Sequence, residues 1–313
     1  MKLFAFVMNR GIILLIIIML FYVVFTIFSD VNELTSHFKN IDYFLIIPIL
    51  LATTIGLFVK SIRQYLFLET VGIKISFKQN FVLYFAGLAM LGVPFGAGGL
   101  IKSHFLLKHF DQPASKTVPI ILVERFHDAV AMFSIILIFV LITDFGILNI
   151  PIIIIGIFLL FCILVLKNKN LAVRVVTKLT KIKFLKITEK NTEQFSNTLI
   201  SFSSNKKMIS AWLIGLAGWS FDALAIFFSF LAFGLNFDFL LTTIIGFSSV
   251  LFGSLSFLPG GIGVTELSFV QLLLTYKIEL SLATALVIFI RLTGLWFATC
   301  LGFFAIRFIS NKN

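Results

Sequence analysis

Long apolar runs separated by short polar segments dominate the chain. Residues 12–28, 44–59, 129–142, 147–166, 209–233 and 281–306 are almost continuously hydrophobic. A helix of about 20 apolar residues crosses the roughly 30 Å hydrocarbon core of a bilayer, so these runs predict membrane-spanning helices. Two further apolar segments are broken in the middle by glycine and proline. The first, within 79–110, contains Leu91-Gly-Val-Pro-Phe-Gly-Ala-Gly-Gly99; the second, within 240–276, contains Leu258-Pro-Gly-Gly-Ile-Gly263.

Composition excludes a soluble domain. The 313 residues are 59% hydrophobic and 12% charged, with a mean hydropathy of +1.09 and 40 phenylalanines; soluble chains carry about twice that charged fraction. The first run follows Lys2 and Arg10, but Thr26-Ile-Phe-Ser-Asp30 offers no small-x-small cleavage site, so an uncleaved first span is expected. Cys162 and Cys300 lie far apart inside apolar runs, where a thiol ordinarily packs.

Charge placement sets the expected orientation. With the N-terminus in the cytoplasm and each long run crossing once, the inner segments hold every Lys and Arg except Lys39, Lys277, Arg125 and Arg291. The outer segments hold Lys39 and Lys277 against Asp30, Glu33, Asp42, Asp144, Asp238 and Glu279. This positive-inside bias predicts a multi-pass cell-membrane protein with both termini cytoplasmic. The basic segment 167–208 is expected inside, either as a topology signal or as a surface for anionic headgroups. The same parity requires 79–110 to enter from the cytoplasm and return to it, and 240–276 to enter from outside and return outside. The fold expected is all-α: about six full transmembrane helices plus two oppositely oriented re-entrant hairpins, in a single integral-membrane domain over 1–313.

The two breaks match each other. Pro94-x-Gly96-x-Gly98 aligns with Pro259-x-Gly261-x-Gly263, and an arginine follows each at a similar distance, Arg125 and Arg291. The halves, about 1–145 and 146–308, then form an inverted repeat, a pattern in which paired Gly/Pro-interrupted segments mark a substrate site in transporters.

Charges within the apolar zone are expensive and each needs a reason. Here they are Glu124, Arg125, Asp128, Asp222, Glu266 and Arg291, with His127 among the first three. Glu124 and Asp128 stand one helical turn apart and repel unless a cation or proton intervenes. Arg125 either neutralises them or presents its planar fork to a phosphate. Arg291 is too deep to snorkel and needs an acid or a ligand, with Asp222 as the obvious protein partner. Gly96, Gly98, Gly99, Gly261 and Gly263 would let backbone approach an anion at the start of a helix. Glu266 falls in the first turn after the second break, where it either caps that helix or takes part in proton or headgroup coupling. No metal-ligand spacing, nucleotide-binding loop or catalytic assembly is visible, so neither a cofactor nor an enzyme activity is expected, and nothing points to nucleic acid.

The Val93-Pro-Phe-Gly-Ala-Gly-Gly stretch, the Glu124-Arg125-x-x-Asp128 cluster and Leu258-Pro-Gly-Gly-Ile-Gly-Val-Thr-Glu266 together resemble the lysylphosphatidylglycerol synthase transmembrane-region family, described as flippase-like (UPF0104-type). The resemblance implies a membrane module that moves a phospholipid or a polyprenyl-linked sugar across the bilayer. Larger bacterial members continue into a cytosolic aminoacyltransferase domain, and that activity is not carried over here. The expectation is a lipid translocase working by alternating access. Its rivals are a small-solute or ion transporter of the same architecture and a non-catalytic membrane partner of a glycosyltransferase or other lipid-modifying enzyme.

Overall fold

The computed structural model describes residues 31–91, 98–142, 153, 156–157, 189–203, 206–256 and 258–310. The run 12–28, most of 147–166, the first glycine–proline break with Gly96, and most of 167–208 lie outside them. Among the described residues every element is helical: α1 (Val31–Lys39), α2 (Ile46–Thr70), α3 (Phe77–Leu88), α4 (Gly98–Phe110), α5 (Ala114–Ile142), α6 (Glu189–Ser203), α7 (Lys207–Ala232), α8 (Phe239–Leu255), α9 (Val264–Thr275), α10 (Leu280–Arg291) and α11 (Phe297–Ser310). A π turn at Leu292–Trp296 joins α10 to α11, so that Leu280–Ile309 runs as one helix of 30 residues.

Helix lengths follow from where the apolar sequence is interrupted. Tyr43–Thr70, Lys207–Ala232 and Leu280–Ile309 are long and apolar enough to cross a membrane. Along the span Tyr43–Thr70, which joins a 3-10 turn to α2, Phe44, Ile47, Leu51 and Phe58 are exposed at helical spacing, Phe44 at 86%. An apolar stripe of that kind has hydrocarbon, not water, as its natural solvent. By contrast α8 and α9, of 17 and 12 residues, reach only about 25 and 18 Å at 1.5 Å per residue. Neither spans the hydrocarbon core by itself. The succession long, short, short, long occurs twice: α2, α3, α4, α5, then α7, α8, α9 and the α10–α11 helix.

Two compact units share the chain. The first comprises residues 1–54, 89–98 and 221–300, the second 55–88, 99–220 and 301–313. In the first unit α8 packs on α9, α9 on α10, and α10 on α1. Ile49, Ala225, Ala232 and Phe289 close its core beside α1, and His37 on α1 meets Ser281 at 3.1 Å. The α8–α9 connection turns tightly because Gly260, Gly261 and Gly263 hold φ of +58°, +66° and +88°. Backbone of that hand costs glycine almost nothing and other residues of order 1 kcal/mol or more.

In the second unit Phe67, Leu68, Leu83, Leu106, Ile120 and Val123 form an apolar core. Helix α6 closes it with Phe195, Leu199 and Phe202, which recur at i, i+4 and i+7 on one face. Part of the segment read from sequence as a solvated basic loop is therefore a packed amphipathic helix, lying against α5 and tied to it by Ser115 Oγ donating to Gln194 at 2.5 Å. A second reading also needs correction. Lys60, Arg63 and Lys102, sorted from sequence into aqueous inner segments, are all buried within α2 and α4. Helix α2 does not stop near residue 59 but continues to Thr70, because these cations find partners that make burial tolerable.

Candidate functional site

Helix α5 carries Glu124, Arg125 and Asp128 into the interior of the second unit, and α2 and α4 bring cations to meet them. Lys102 Nζ donates to both oxygens of Glu124 at 2.8 Å. Its aliphatic stem fits because α3 carries Gly87 there; a Cβ at that position would stand 2.5 Å from Lys102 Cε. The ammonium also lies 4.8 Å from the centre of the Tyr84 ring, a cation–π distance. Arg63, 1% exposed, donates through Nη2 to Asp128 Oδ1 at 2.6 Å. The same oxygen accepts from Trp219 Nε1 at 3.1 Å, and Lys60 Nζ sits 3.4 Å from the Trp219 ring centre. Each acid is thus held by a dedicated cation.

Arg125 joins this arrangement more loosely. Its Nη2 lies 3.6 Å from Glu124 and 3.3 Å from Asp128, and half of its side chain is exposed. The carboxylates are more closely engaged by Lys102 and Arg63, so Arg125 supplies positive charge that they do not consume. His127 contributes nothing to the pairs: its Nδ1 bonds the Val123 carbonyl at 2.9 Å and its ring packs against Phe67.

A second cluster forms in the first unit, at the α8–α9 turn. Gly263 N–H donates to Glu266 Oε2 at 2.8 Å, so Glu266 caps α9. Arg291 Nε donates to Glu266 Oε1 at 2.7 Å, and Arg291 Nη2 to the Gly260 carbonyl at 2.6 Å. The carboxylate that neutralises Arg291 is therefore Glu266, not Asp222, which lies half-buried on α7 with contacts of its own. The reason is reach: α9 packs directly on α10, and its first turn faces Arg291. The positive end of α9 is met by the protein's own carboxylate.

The clusters match in position and oppose in sign. In one, a cation on a short helix (Lys102) pairs with an acid on the next long helix (Glu124). In the other, an acid on the short helix (Glu266) pairs with a cation on the long one (Arg291). Among the glycines singled out by sequence, Gly261 and Gly263 shape the second turn. Gly99 packs where a Cβ would collide with Ile121, Gly98 opens α4, and Gly96 lies outside the described residues. Lys60, Arg63, Lys102 and Trp219 were not among the sequence candidates. Their signal was present: Lys60, Arg63 and Gln64 share one face of an otherwise apolar stretch at i, i+3 and i+4.

Membrane-length helices, two half-length helices closing on a glycine turn, and ion pairs buried among them define an all-helical integral membrane protein. A profile described as "Lysylphosphatidylglycerol synthase TM region" matches residues 12–302. The chain belongs to that family. It is also similar to the UPF0104 membrane protein MJ1595 of Methanocaldococcus jannaschii, at 24% identity over 97% of this chain and 96% of that one. UPF0104 membrane protein PH1989 of Pyrococcus horikoshii is 30% identical over 35% of this chain, a match spanning 33% of that protein's length.

Proposed function

We propose that the chain moves an anionic or polyprenyl-linked lipid across the membrane, with the headgroup received at Arg125. The observation that carries this reading is the surplus charge of Arg125: half-exposed, and flanked by carboxylates already held by Lys102 and Arg63. A half-exposed guanidinium whose contacts to its own neighbours are long has the planar fork that suits a bidentate pair of hydrogen bonds to a phosphate. The exposed apolar stripe along α2 suits acyl or prenyl tails that remain in hydrocarbon. Membership of a family named for a lipid-synthase membrane region supports a lipid over a water-soluble substrate. Arg291 acts in this reading by holding the α8–α9 turn, not by touching the lipid.

The architecture proposed is an inverted repeat with two re-entrant hairpins, α3–α4 and α8–α9, entering from opposite faces. The half-length of these helices and their glycine–proline tips support it. Alternating access follows from movement of one repeat against the other. The basic residues of 167–208 face the cytoplasm and anionic headgroups there, and the module has no transferase activity of its own. In vesicles, the full chain should accelerate transbilayer movement of a labelled phosphatidylglycerol or polyprenyl phosphate. Arg125→Gln should slow it at least about tenfold, the equivalent of about 1.4 kcal/mol of lost binding. Unchanged movement in Arg125→Gln, or none with any anionic lipid in the wild type, would remove the proposal.

A further inference from the structure

Glu124 has two cationic neighbours, and distance ranks them. Lys102 Nζ reaches both of its oxygens at 2.8 Å, whereas Arg125 Nη2 stands 3.6 Å from Oε1. The first is a charge-assisted hydrogen bond and the second is too long to be one. Oε1 takes part in both contacts, so ammonium and guanidinium compete for one acceptor. Glu124 is only 1% exposed. If the nearer cation left, the carboxylate would need the other cation or a proton.

Lys102 holds its place because α3 is shaped to receive it. A Cβ on Gly87 would stand 2.5 Å from Lys102 Cε and 2.6 Å from Cγ, so only glycine leaves room for the stem. Tyr84, one turn earlier on the same face of α3, sets its ring 4.8 Å from the ammonium. A buried ion pair adds little net stability over apolar side chains of the same volume. Three helices converging on this ammonium therefore point to a use other than folding.

We propose that Lys102, seated by Gly87 and Tyr84, is a positioning residue for Arg125: by occupying Glu124 it keeps the guanidinium open to an anion. Without Lys102, the Glu124 carboxylate closes on Arg125 and fills its fork with the protein's own acid. Arg125 then has carboxylates on both sides, since Asp128 stands 3.3 Å from the same nitrogen. The anion site is thus controlled from α3 and α4, through side chains that do not touch the anion. The role of Lys102 rests on the reading of Arg125 as the headgroup site, but the openness of the guanidinium is measurable with no lipid substrate present.

Phenylglyoxal modifies guanidinium groups that are free of tight hydrogen bonds, and peptide mass spectrometry of the full chain in detergent reads each arginine separately. Modification of Arg125 should fall about tenfold in Lys102→Met, the effect of about one new charge-assisted hydrogen bond. Lys102→Met/Glu124→Gln should return it to the wild-type rate although the lysine is still missing. Exposed Arg307 is the reference and should not change. Movement of labelled phosphatidylglycerol in vesicles should follow the same order, slow in the single variant and recovered in the double. Arg125 modified at the wild-type rate in folded Lys102→Met, or still shielded in the double variant, overturns the role of Lys102. Where Lys102→Met does not fold, Gly87→Ala decides: it displaces the lysine stem without altering any charge, and a wild-type rate there overturns the role equally. Shielding and rescue as expected, with no lipid moved even by the wild type, would instead remove the headgroup reading and leave the control of Arg125 standing.

Discussion

Arg63 is a guanidinium with almost no access to solvent, and only one of its nitrogens has a hydrogen-bond partner, Asp128. Its stability contribution is therefore conditional on that carboxylate. Removing one member of a buried pair typically costs about 3–5 kcal/mol, whereas removing both in favour of apolar side chains is often close to neutral. Arg63→Met should lower unfolding stability in detergent by an amount in that range, as should Asp128→Leu. The double variant should lose much less than the two losses combined. Additive losses would mean that Arg63 is stabilised by its packing against Gly215 and the Phe67 ring and not by its ion pair. The pairing of Arg63 was hidden in the sequence by a reasonable rule. Cations outside the most apolar windows are assigned to water, and the rule gives way where a carboxylate 65 residues further along waits on another helix.

Where an element ends was more legible than where it packs. The α8–α9 turn is written into Leu258-Pro-Gly-Gly-Ile-Gly263, because only glycine takes the φ values found there at little cost. The spans over 44–59, 209–233 and 281–306 were equally direct, since run length alone sets them, although α2 continues eleven residues past the end of its run. Helix α6 was not read, although Phe195, Leu199 and Phe202 carry its periodicity, because the charge of 167–208 dominated the pattern. The α8–α9 turn has a crowding requirement as well as a conformational one. A Cβ on Gly261 would stand 3.0 Å from Gly253 Cα, whereas Gly72, at a similar positive φ of +70°, has nothing within 4 Å. Gly72→Ala should therefore cost about 1 kcal/mol, the left-handed backbone alone. Gly261→Ala should cost more, by about 1–3 kcal/mol, since it adds overpacking between α8 and the turn. Thermal unfolding of the two variants compares them directly, and equal losses would show that α8 does not bear on the turn.

The twofold recurrence of long, short, short and long helices, with ion pairs of opposite sign at matching places, is the feature of the whole chain that most constrains how it lies in a membrane. The α8–α9 pair, two helices each too short to cross singly and joined by a glycine turn, suits the proposed re-entrant hairpin whose two ends emerge on one face. For the proposed inverted repeat, the ends of α3–α4 emerge in the cytoplasm and the ends of α8–α9 on the opposite side. Single cysteines settle this once Cys162 and Cys300 are replaced by serine. Ser76→Cys and Gln112→Cys, flanking α3–α4, should react with a membrane-impermeant maleimide only after the membrane is opened. Asn236→Cys and Lys277→Cys, flanking α8–α9, should react in intact cells. If the two sites of either pair label from opposite faces, that pair is a full crossing and the re-entrant assignment fails. If all four label from the same face, the hairpins are parallel, the sign reversal between Lys102–Glu124 and Glu266–Arg291 loses its symmetry meaning, and alternating access between inverted halves has no structural basis.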